Sequence, residues 1–419
     1  MKVLHFIPSL KTVVCSELLK YKTALIEQMA ESGEVCVLTA DKGNISLGKA
    51  EIRTYSPVKT LFGRGKRQFG KILDAVRPEI VHIHACWNFS ACCLLKECEK
   101  RNIPTVLTTD RQLEPWHVSR HYWSHKLPLM LKYQRYILKH AGALHATNRQ
   151  ELENISSLNW HPRLKTRHSL NPNIALIEPF TVVHGMKADN MTESMIKLYR
   201  KVADSSPFGQ MTKEERHAED LLMQAGISGD ITDSAITEAD KDLMASLNND
   251  AWRRIFLHST DQGIYEYVKA GLKKADIPAC PIDTDKVERF IPKSMKDTAT
   301  KAGDIGKNRK ISRLKSDETL SDFERKLCAT LMTVSLKIKY SCVNRADFTK
   351  IYKMLRFNEY DEDAVENKMH DTGTGKNMAR LLQIMKERYG LGDGFMFTEP
   401  LNDKKTTKIK KKLFNTAIQ

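Results

Sequence analysis

The run Arg77–Trp87, RPEIVHIHACW, constrains the fold of this chain more than any other stretch. It reads as a buried parallel strand that ends in His, Cys and Trp. Strands of that kind carry function at their carboxyl ends, because ligands of open α/β sheets bind in the crevice outside that edge. A second strand of the same kind, Lys2–Ile7 (KVLHFI), opens the chain and runs into Pro8-Ser9-Leu10.

Between and beyond these two strands, residues 1–180 alternate between β and α patterns. Glu17–Ala30 places Leu18, Leu19, Leu25, Ile26 and Met29 at helical spacing, with Gly33 where a C-terminal cap glycine belongs. Val35–Leu38 and Ile52–Tyr55 are β-branched runs. Gln68–Val76 reads as a helix that stops ahead of Pro78. Ile80–His84 (strand), Ala91–Lys100 (helix), Thr105–Thr109 (strand), Lys126–Lys139 (helix), Ala143–Ala146 (strand) and Arg149–Ser157 (helix) follow, with Leu164–Arg167 as the expected last strand. The alternation predicts a Rossmann-like parallel sheet covered on both faces. Right-handed crossovers then bring Pro8-Ser9, Cys86-Trp87, Thr109-Asp110 and Thr147 to one rim.

The rest of the chain has a different character. Residues 181–282 read as a helical region, with helices over Asn190–Ala203, Lys213–Gln224, Glu238–Leu247 and Asp250–Lys274, on which Glu214-Glu215 and Glu219 read as surface charge. Residues 283–317 are polar and poor in large apolar side chains, as in a linker. Residues 318–419 form a second helical region. Its strongest helix, Leu320–Ile338, opens with Ser321 followed three residues later by Glu324, the form of a capping box. Phe348–Leu355 and Met378–Tyr389 are further helices, and Lys404–Lys412 (KKTTKIKKK) reads as a solvated basic tail. Asp283-Thr284-Asp285 has the letters of a cation-binding D-x-D but fits a helix N-cap better. Gly373-Thr374-Gly375-Lys376-Asn377 lacks the leading glycine, the final Ser or Thr and the preceding strand of a phosphate loop.

Composition narrows the class. No stretch approaches eighteen uninterrupted apolar residues, and the N-terminus is too short in apolar residues for a signal peptide, so a cytoplasmic protein is expected. Nine cysteines, two of them adjacent at Cys92-Cys93, argue for reduced thiols rather than a disulfide framework or a zinc site. A net charge of +16 fits an acidic partner: nucleic acid, an anionic lipid surface or a phosphate-bearing ligand. Nucleic acid is the weakest of these, because the helical half shows no helix-turn-helix, zinc or RNA-stacking motif.

The segments KVLHFIPSL, RPEIVHIHACWNFSA, TVLTTDRQLEPW and KHAGALHATNRQELENI, in that order, resemble the N-terminal domain of GT-B fold glycosyltransferases, in particular the family-4-like retaining enzymes. The resemblance covers roughly residues 1–178. It implies a Rossmann-like acceptor domain, a nucleotide-sugar as donor substrate with no further cofactor or metal, and a glycan or lipid-linked acceptor. By resemblance His84 is the candidate catalytic residue of the acceptor cleft. Ser9, Trp87, Asn88, Asp110, Arg111, Glu114 and Trp116 are the candidate substrate-binding residues, with Glu114 and Trp116 orienting the sugar. The implied role is cell-surface polysaccharide synthesis in the cytoplasm, with peripheral contact to the inner membrane face.

The chain also departs from that pattern. Lys11-Thr12-Val13-Val14-Cys15 holds no glycine to let backbone N–H groups approach a diphosphate. Asp110-Arg111 replaces the usual His-Gly, and an Asp there repels phosphate. Neither a second Rossmann-like unit nor the family's paired glutamates can be found downstream. The alternative is therefore a non-catalytic acceptor-binding or partner-binding protein that lacks a donor domain and works with a partner transferase. His82 and His84 point to one face of their strand, but no third metal ligand is evident. Glu114-Pro115-Trp116-His117 suits a carbohydrate rim or, equally, a Pro-fixed turn with Trp116 plugging the core. Arg111, Arg120, His121 and His125 form a basic stretch that could meet a phosphate or a lipid-linked acceptor, or simply be a solvated loop.

Overall fold

The computed structural model describes residues 1–15, 20–41, 45–158, 170–179, 188–227, 236–278, 281–290, 305, 308–340 and 342–414. The chain divides into two compact units, Met1–Gln210 with Glu288–Phe290, and Met211–Val287 with Ile291–Gln419.

The first unit is built on a parallel sheet of seven strands: β1 (Lys2–Phe6), β2 (Glu34–Thr39), β3 (Glu51–Thr54), β4 (Ile80–Ile83), β5 (Thr105–Thr108), β6 (Ala143–Ala146) and β7 (Ile174–Leu176). Their order is β3-β2-β1-β4-β5-β6-β7, and every neighbouring pair is parallel. The strand order reverses between β1 and β4, which makes their carboxyl ends the topological switch point. The Rossmann-like sheet read from the alternation is therefore present. The last strand lies at Ile174–Leu176; the expected Leu164–Arg167 falls outside the described residues. Asn171 sets the position of β7 by donating to the carbonyls of Leu138 and Ala141, while Asn173 donates to that of Gly142.

Side-chain alternation gives the sheet two dissimilar faces. On one, Leu4, Phe6, Cys36, Leu38, Val81, Ile83, Leu107 and Leu144 pack against helices that include α3 (Gly65–Val76) and α4 (Phe89–Lys100). On the other, Val3, Ile7, Val35, Val37, Ile80, Val106 and Ala143 pack against α2 (Lys20–Ser32) and α8 (Ala188–Asp204). The other helices of this unit include α1 (Leu10–Cys15), α5 (Pro115–Ser119), α6 (Arg135–His140) and α7 (Arg149–Ser156). Cys36, Cys86, Cys92, Cys93, Cys98, Cys328 and Cys342 are free and buried. No helix among those residues is long and apolar enough to cross a membrane.

Among the described residues the second unit is helical: α9 (Lys213–Ile227), α10 (Glu238–Ala245), α11 (Asn249–Asp261), α12 (Tyr265–Ala275), α13 (Arg309–Lys315), α14 (Asp322–Lys339), α15 (Arg345–Arg356), α16 (Glu362–Asp371), α17 (Gly375–Tyr389) and α18 (Lys404–Phe414). The Ser321–Glu324 capping box forms at the start of α14. Asp283 accepts from the Asp285 N–H at the head of a single turn, Thr284–Lys286, and Gly373 sits in the turn between α16 and α17. The stretch read as a polar linker holds α13 among its described residues.

Three readings need correction here. The helix expected over Asp250–Lys274 breaks into α11 and α12 at Gly263, whose φ of 67° needs a residue without a Cβ. Glu215 and Glu219 are buried rather than surface charge: Glu215 pairs with Arg254, and Glu219 with His258 and Arg345. The basic tail is the docked helix α18, with Thr406, Leu413 and Phe414 buried and Lys410 paired to Glu387. Its apolar residues recur on one side, and that periodicity outweighs the charge.

Helices α9 and α12 cross at two glycines. A Cβ on Gly226 would run into the Tyr267 carbonyl, and one on Gly271 into that of Leu222. Either obstacle is backbone, so the helices would have to part. Replacing Gly271 by Ala should lower the stability of this unit by about 1–3 kcal/mol, read as a shifted urea midpoint. An unshifted midpoint would show that the crossing is looser than described.

Candidate functional site

Five polar side chains interrupt the apolar face of the sheet beneath α2 and α8. Parallel register aligns His5 with His82 and Thr108 with His145, and strand alternation adds His84 to the same face. All five are buried. His82 Nδ1 lies 2.6 Å from the Tyr199 hydroxyl and its Nε2 lies 2.6 Å from Thr108 Oγ1. Thr108 Oγ1 is 2.8 Å from His145 Nδ1, and His145 Nε2 is 2.9 Å from the Ile177 carbonyl.

One assignment of protons satisfies this whole chain. A carbonyl only accepts, so His145 Nε2 donates to Ile177 and, in a neutral ring, its Nδ1 accepts from Thr108. The Thr108 oxygen then accepts from His82 Nε2, and His82 Nδ1 accepts from Tyr199. Each link donates toward β7, and each imidazole is neutral. Burial drives the pKa of His5 down to about 3 and holds those of His82 and His84 well below the usual histidine value. The neighbouring imidazoles and Lys22 push His82 and His84 the same way.

His5 and His84 stand beside this chain. The rings stack, with His5 Nδ1 3.0 Å from His84 Nε2. The outer nitrogens, His5 Nε2 and His84 Nδ1, are buried with no hydrogen-bond partner. His5, His82 and His84 could each turn one nitrogen toward a common point, the donor atoms lying within 4.8 Å of one another. The donor set does not suit a metal, however. His82 has both nitrogens engaged, and the nearby Lys22 adds its positive charge to that of any cation.

The rim above these histidines is strained. Trp87 follows β4 with φ 55°, and Asp110 and Arg111 follow β5 with φ 47° and 60°. Left-handed backbone costs a residue with a Cβ about 1–2 kcal/mol. Arg111 stands where the resembling family carries its glycine, so the backbone shape persists without the residue that makes it cheap. Hydrogen bonds hold the shape. The Glu151 carboxylate, at the start of α7, accepts from Thr109 Oγ1 and Arg111 N at 2.5 Å each, and from Thr147 N and Oγ1 at 2.7 Å each. It thereby ties the ends of β5 and β6 together. Gln134 accepts from Trp87 N at 2.6 Å, and the Tyr133 hydroxyl donates to the Trp87 carbonyl.

The candidate residues fall into two groups. Trp87, Asp110, Arg111, Glu114 and Trp116 meet at the ends of β4 and β5, whereas His84 lies beneath them and is only 5% exposed. Asp110 does not face an anion unshielded. Lys22 Nζ lies 2.5 Å from it, with both side chains nearly inaccessible, and Tyr21 donates to the same carboxylate. Glu114 accepts from Arg111 Nε at 2.6 Å and from Trp116 Nε1, and the Arg111 bond holds its carboxyl below the usual range. Trp116 is 61% exposed, so it does not plug the core; Leu113 and Val118 do. Asn88 accepts from the Ala91 N–H as the N-cap of α4. Ser9 lies at the end of β1, where its hydroxyl and the Lys11 N–H both donate to Asp41.

The sequence reading missed His5, Lys22, Glu151 and Tyr199. His5 had a local signal, an imidazole in an apolar strand beside the His82-x-His84 pair. Lys22 and Tyr199 reach the face only through α2 and α8.

Residues 20–167 match the family described as glycosyl transferase 4-like domain. The match runs from the start of α2 past α7, in keeping with the resemblance to GT-B N-terminal domains, and it takes in the strained rim. No curated protein and no solved structure matches the chain.

Two outcomes follow for this unit. Histidines held neutral in the fold take up protons at ordinary pH only when it unfolds. Their stabilisation is complete above pH 6.5 and is lost as the pH falls from there toward 3. At pH 5.5 each of His5, His82 and His84 should cost about 1.4 kcal/mol relative to pH 7.5, roughly 4 kcal/mol in all. Urea unfolding at the two pH values reads this difference, and equal midpoints would show that these rings are solvated. Lys22→Met leaves Asp110 buried and unpaired and should destabilise by about 3–5 kcal/mol, while Lys22→Met with Asp110→Leu should regain most of the loss.

Proposed function

We propose, from the likeness of residues 20–167 to a glycosyl transferase 4-like domain, that this chain serves sugar transfer. Its first unit would hold a glycan or lipid-linked acceptor at the rim of β1, β4 and β5. The donor would be a nucleotide-sugar, the setting cell-surface polysaccharide synthesis at the inner face of the membrane. The observation that carries this reading is the strained backbone at Trp87, Asp110 and Arg111, fixed from outside by Glu151, Gln134 and Tyr133. Strain of this kind persists where the surroundings over-determine it, and it concentrates at binding sites.

In a retaining transfer the protein mainly positions the acceptor hydroxyl and stabilises the departing diphosphate. The exposed indole of Trp116 offers a stacking face for a sugar, and Arg111 offers an exposed guanidinium edge beside it. His84 adds one unspent ring nitrogen beneath the rim.

A second reading has its own support. The backbone donors at the head of α1, where a diphosphate would sit in a glycine-rich loop, are already met by Asp41 and Ser9. Every strand among the described residues belongs to the first unit's sheet. On this reading the chain binds the acceptor, and a partner transferase supplies the donor site.

Calorimetric titration of the full chain with UDP-glucose and GDP-mannose separates the two. Binding with Kd below about 1 mM supports autonomous transfer. No heat of binding from folded protein leaves only the acceptor-holding role. Trp116→Ala should weaken oligosaccharide or lipid-linked acceptor binding without shifting Tm, and unchanged acceptor binding would remove Trp116 from the site.

A further inference from the structure

We propose that the second unit binds a soluble organic phosphate, a small molecule with two or three phosphate groups, in a basic pocket between α13, α14 and α15. The pocket lies outside residues 20–167, so this does not rest on the transfer reading.

The frame of the pocket is helical. Helices α13 and α15 both pack on α14. Buried apolar side chains anchor each of them, Ile311 and Leu314 on α13, Leu327 and Leu331 on α14, and Phe348 and Ile351 on α15. The space they enclose with solvent is about 570 Å³, within the range of small-molecule sites. Helical spacing puts Lys326, Ala329, Thr330 and Thr333 on one stripe of α14. The three small side chains of that stripe make the floor, and longer cationic ones stand around it.

Four cations reach the pocket from three helices: Lys315 from α13, Arg325 and Lys326 from α14, and Lys350 from α15. The one acid that lines it, Asp322, is already paired with Arg325. Arg325 also donates to the carbonyls of Asp317 and Leu320, which fixes its guanidinium at the edge. The ammonium groups of Lys315, Lys326 and Lys350 make no hydrogen bond or ion pair with the described residues. Elsewhere in this unit Lys337, Lys368, Lys386 and Lys410 are each paired with a carboxylate. Like charges gathered without a counter-charge repel one another, and a multivalent anion relieves that repulsion. Phosphate oxygens accept from ammonium groups in charge-assisted hydrogen bonds.

The floor points to an organic phosphate. The Thr330 and Thr333 hydroxyls donate to the carbonyls of Lys326 and Ala329, so each oxygen keeps accepting capacity for a ligand hydroxyl. None of the exposed large hydrophobic side chains among the described residues lines the pocket, so nothing here would enter a lipid surface. The cations also converge on one concavity instead of running along a face, which suits a compact anion better than a nucleic acid backbone.

Calorimetric titration of the full chain with ATP, without divalent cations and at about 50 mM salt, tests this. ATP should bind with Kd below about 1 mM. Lys326→Ala with Lys350→Ala should weaken it at least about tenfold, with Tm unchanged because both side chains are exposed. Lys269→Ala with Lys376→Ala removes the same charge from exposed positions outside the pocket and should leave binding as in the wild type. No heat of binding from the wild type would overturn the proposal, as would any result in which the Lys326/Lys350 variant is not the weaker of the two. A duplex DNA oligomer that the Lys326/Lys350 variant fails to bind, and that ATP does not displace from the wild type, would overturn it too, assigning these lysines to a nucleic acid backbone.

Discussion

The Thr108 hydroxyl decides the state of the sheet face beneath α2 and α8. It lies between two imidazoles and can donate to only one of them. Because His145 is committed to the Ile177 carbonyl, the hydroxyl must donate to His145 and accept from His82. His82 is thereby fixed as the Nε2–H tautomer, and Tyr199 must donate to its other nitrogen. A buried hydrogen bond contributes only about 1 kcal/mol net, but an orphaned buried partner costs about 1–3 kcal/mol. The chain is thus held less by the worth of its bonds than by the cost of breaking any one. The helix carrying Tyr199 is tied to the sheet at a single orientation, and the strand ends above inherit a rigid base.

On that base the protein maintains an expensive rim. Glycine would adopt the left-handed backbone after β5 freely, yet Asp110 and Arg111 occupy it. Glu151 meets the cost by gathering four donors from two strand ends onto one carboxylate. The substitution has a chemical effect as well. Read alone, an Asp at this position turns phosphate away. Paired with Lys22, it becomes a nearly neutral fixture that orients the loop, and the outward Arg111 is in turn paired with Glu114.

Much of the first unit could be read from periodicity because its signals are local. Strand and helix alternate within windows of a few residues, and the cap and breaker positions at Gly33 and Pro78 lie beside the elements they end. What failed depended on distance. Glu219 looks like surface charge until Arg345 arrives from 126 positions away. His5 joins His82 only through the register of β1 on β4. By charge the tail from Lys404 belongs in solvent, but the side that carries Thr406, Leu413 and Phe414 is buried. Gly263 is the exception, a local signal inside an otherwise helical pattern.

The same distinction bears on what the rim can do. Residues legible from sequence, His84 and Trp87 among them, lie on the strand or just past it. Those that set their chemistry come from elsewhere: His5 from β1, Lys22 from α2, Tyr199 from α8 and Glu151 from α7. His84 illustrates the consequence. By sequence it is a strand-end imidazole facing a ligand. In place it is a neutral, desolvated ring with one nitrogen against His5 and the other unspent. A ring held so far below its usual pKa is poorly suited to carry a proton as an imidazolium near neutral pH. It is well suited to give or take one hydrogen bond in a fixed direction. If this rim holds a sugar hydroxyl, His84 acts by orientation, and the charge compensation that glycosyl transfer demands must come from cations at the rim or from a donor-side partner.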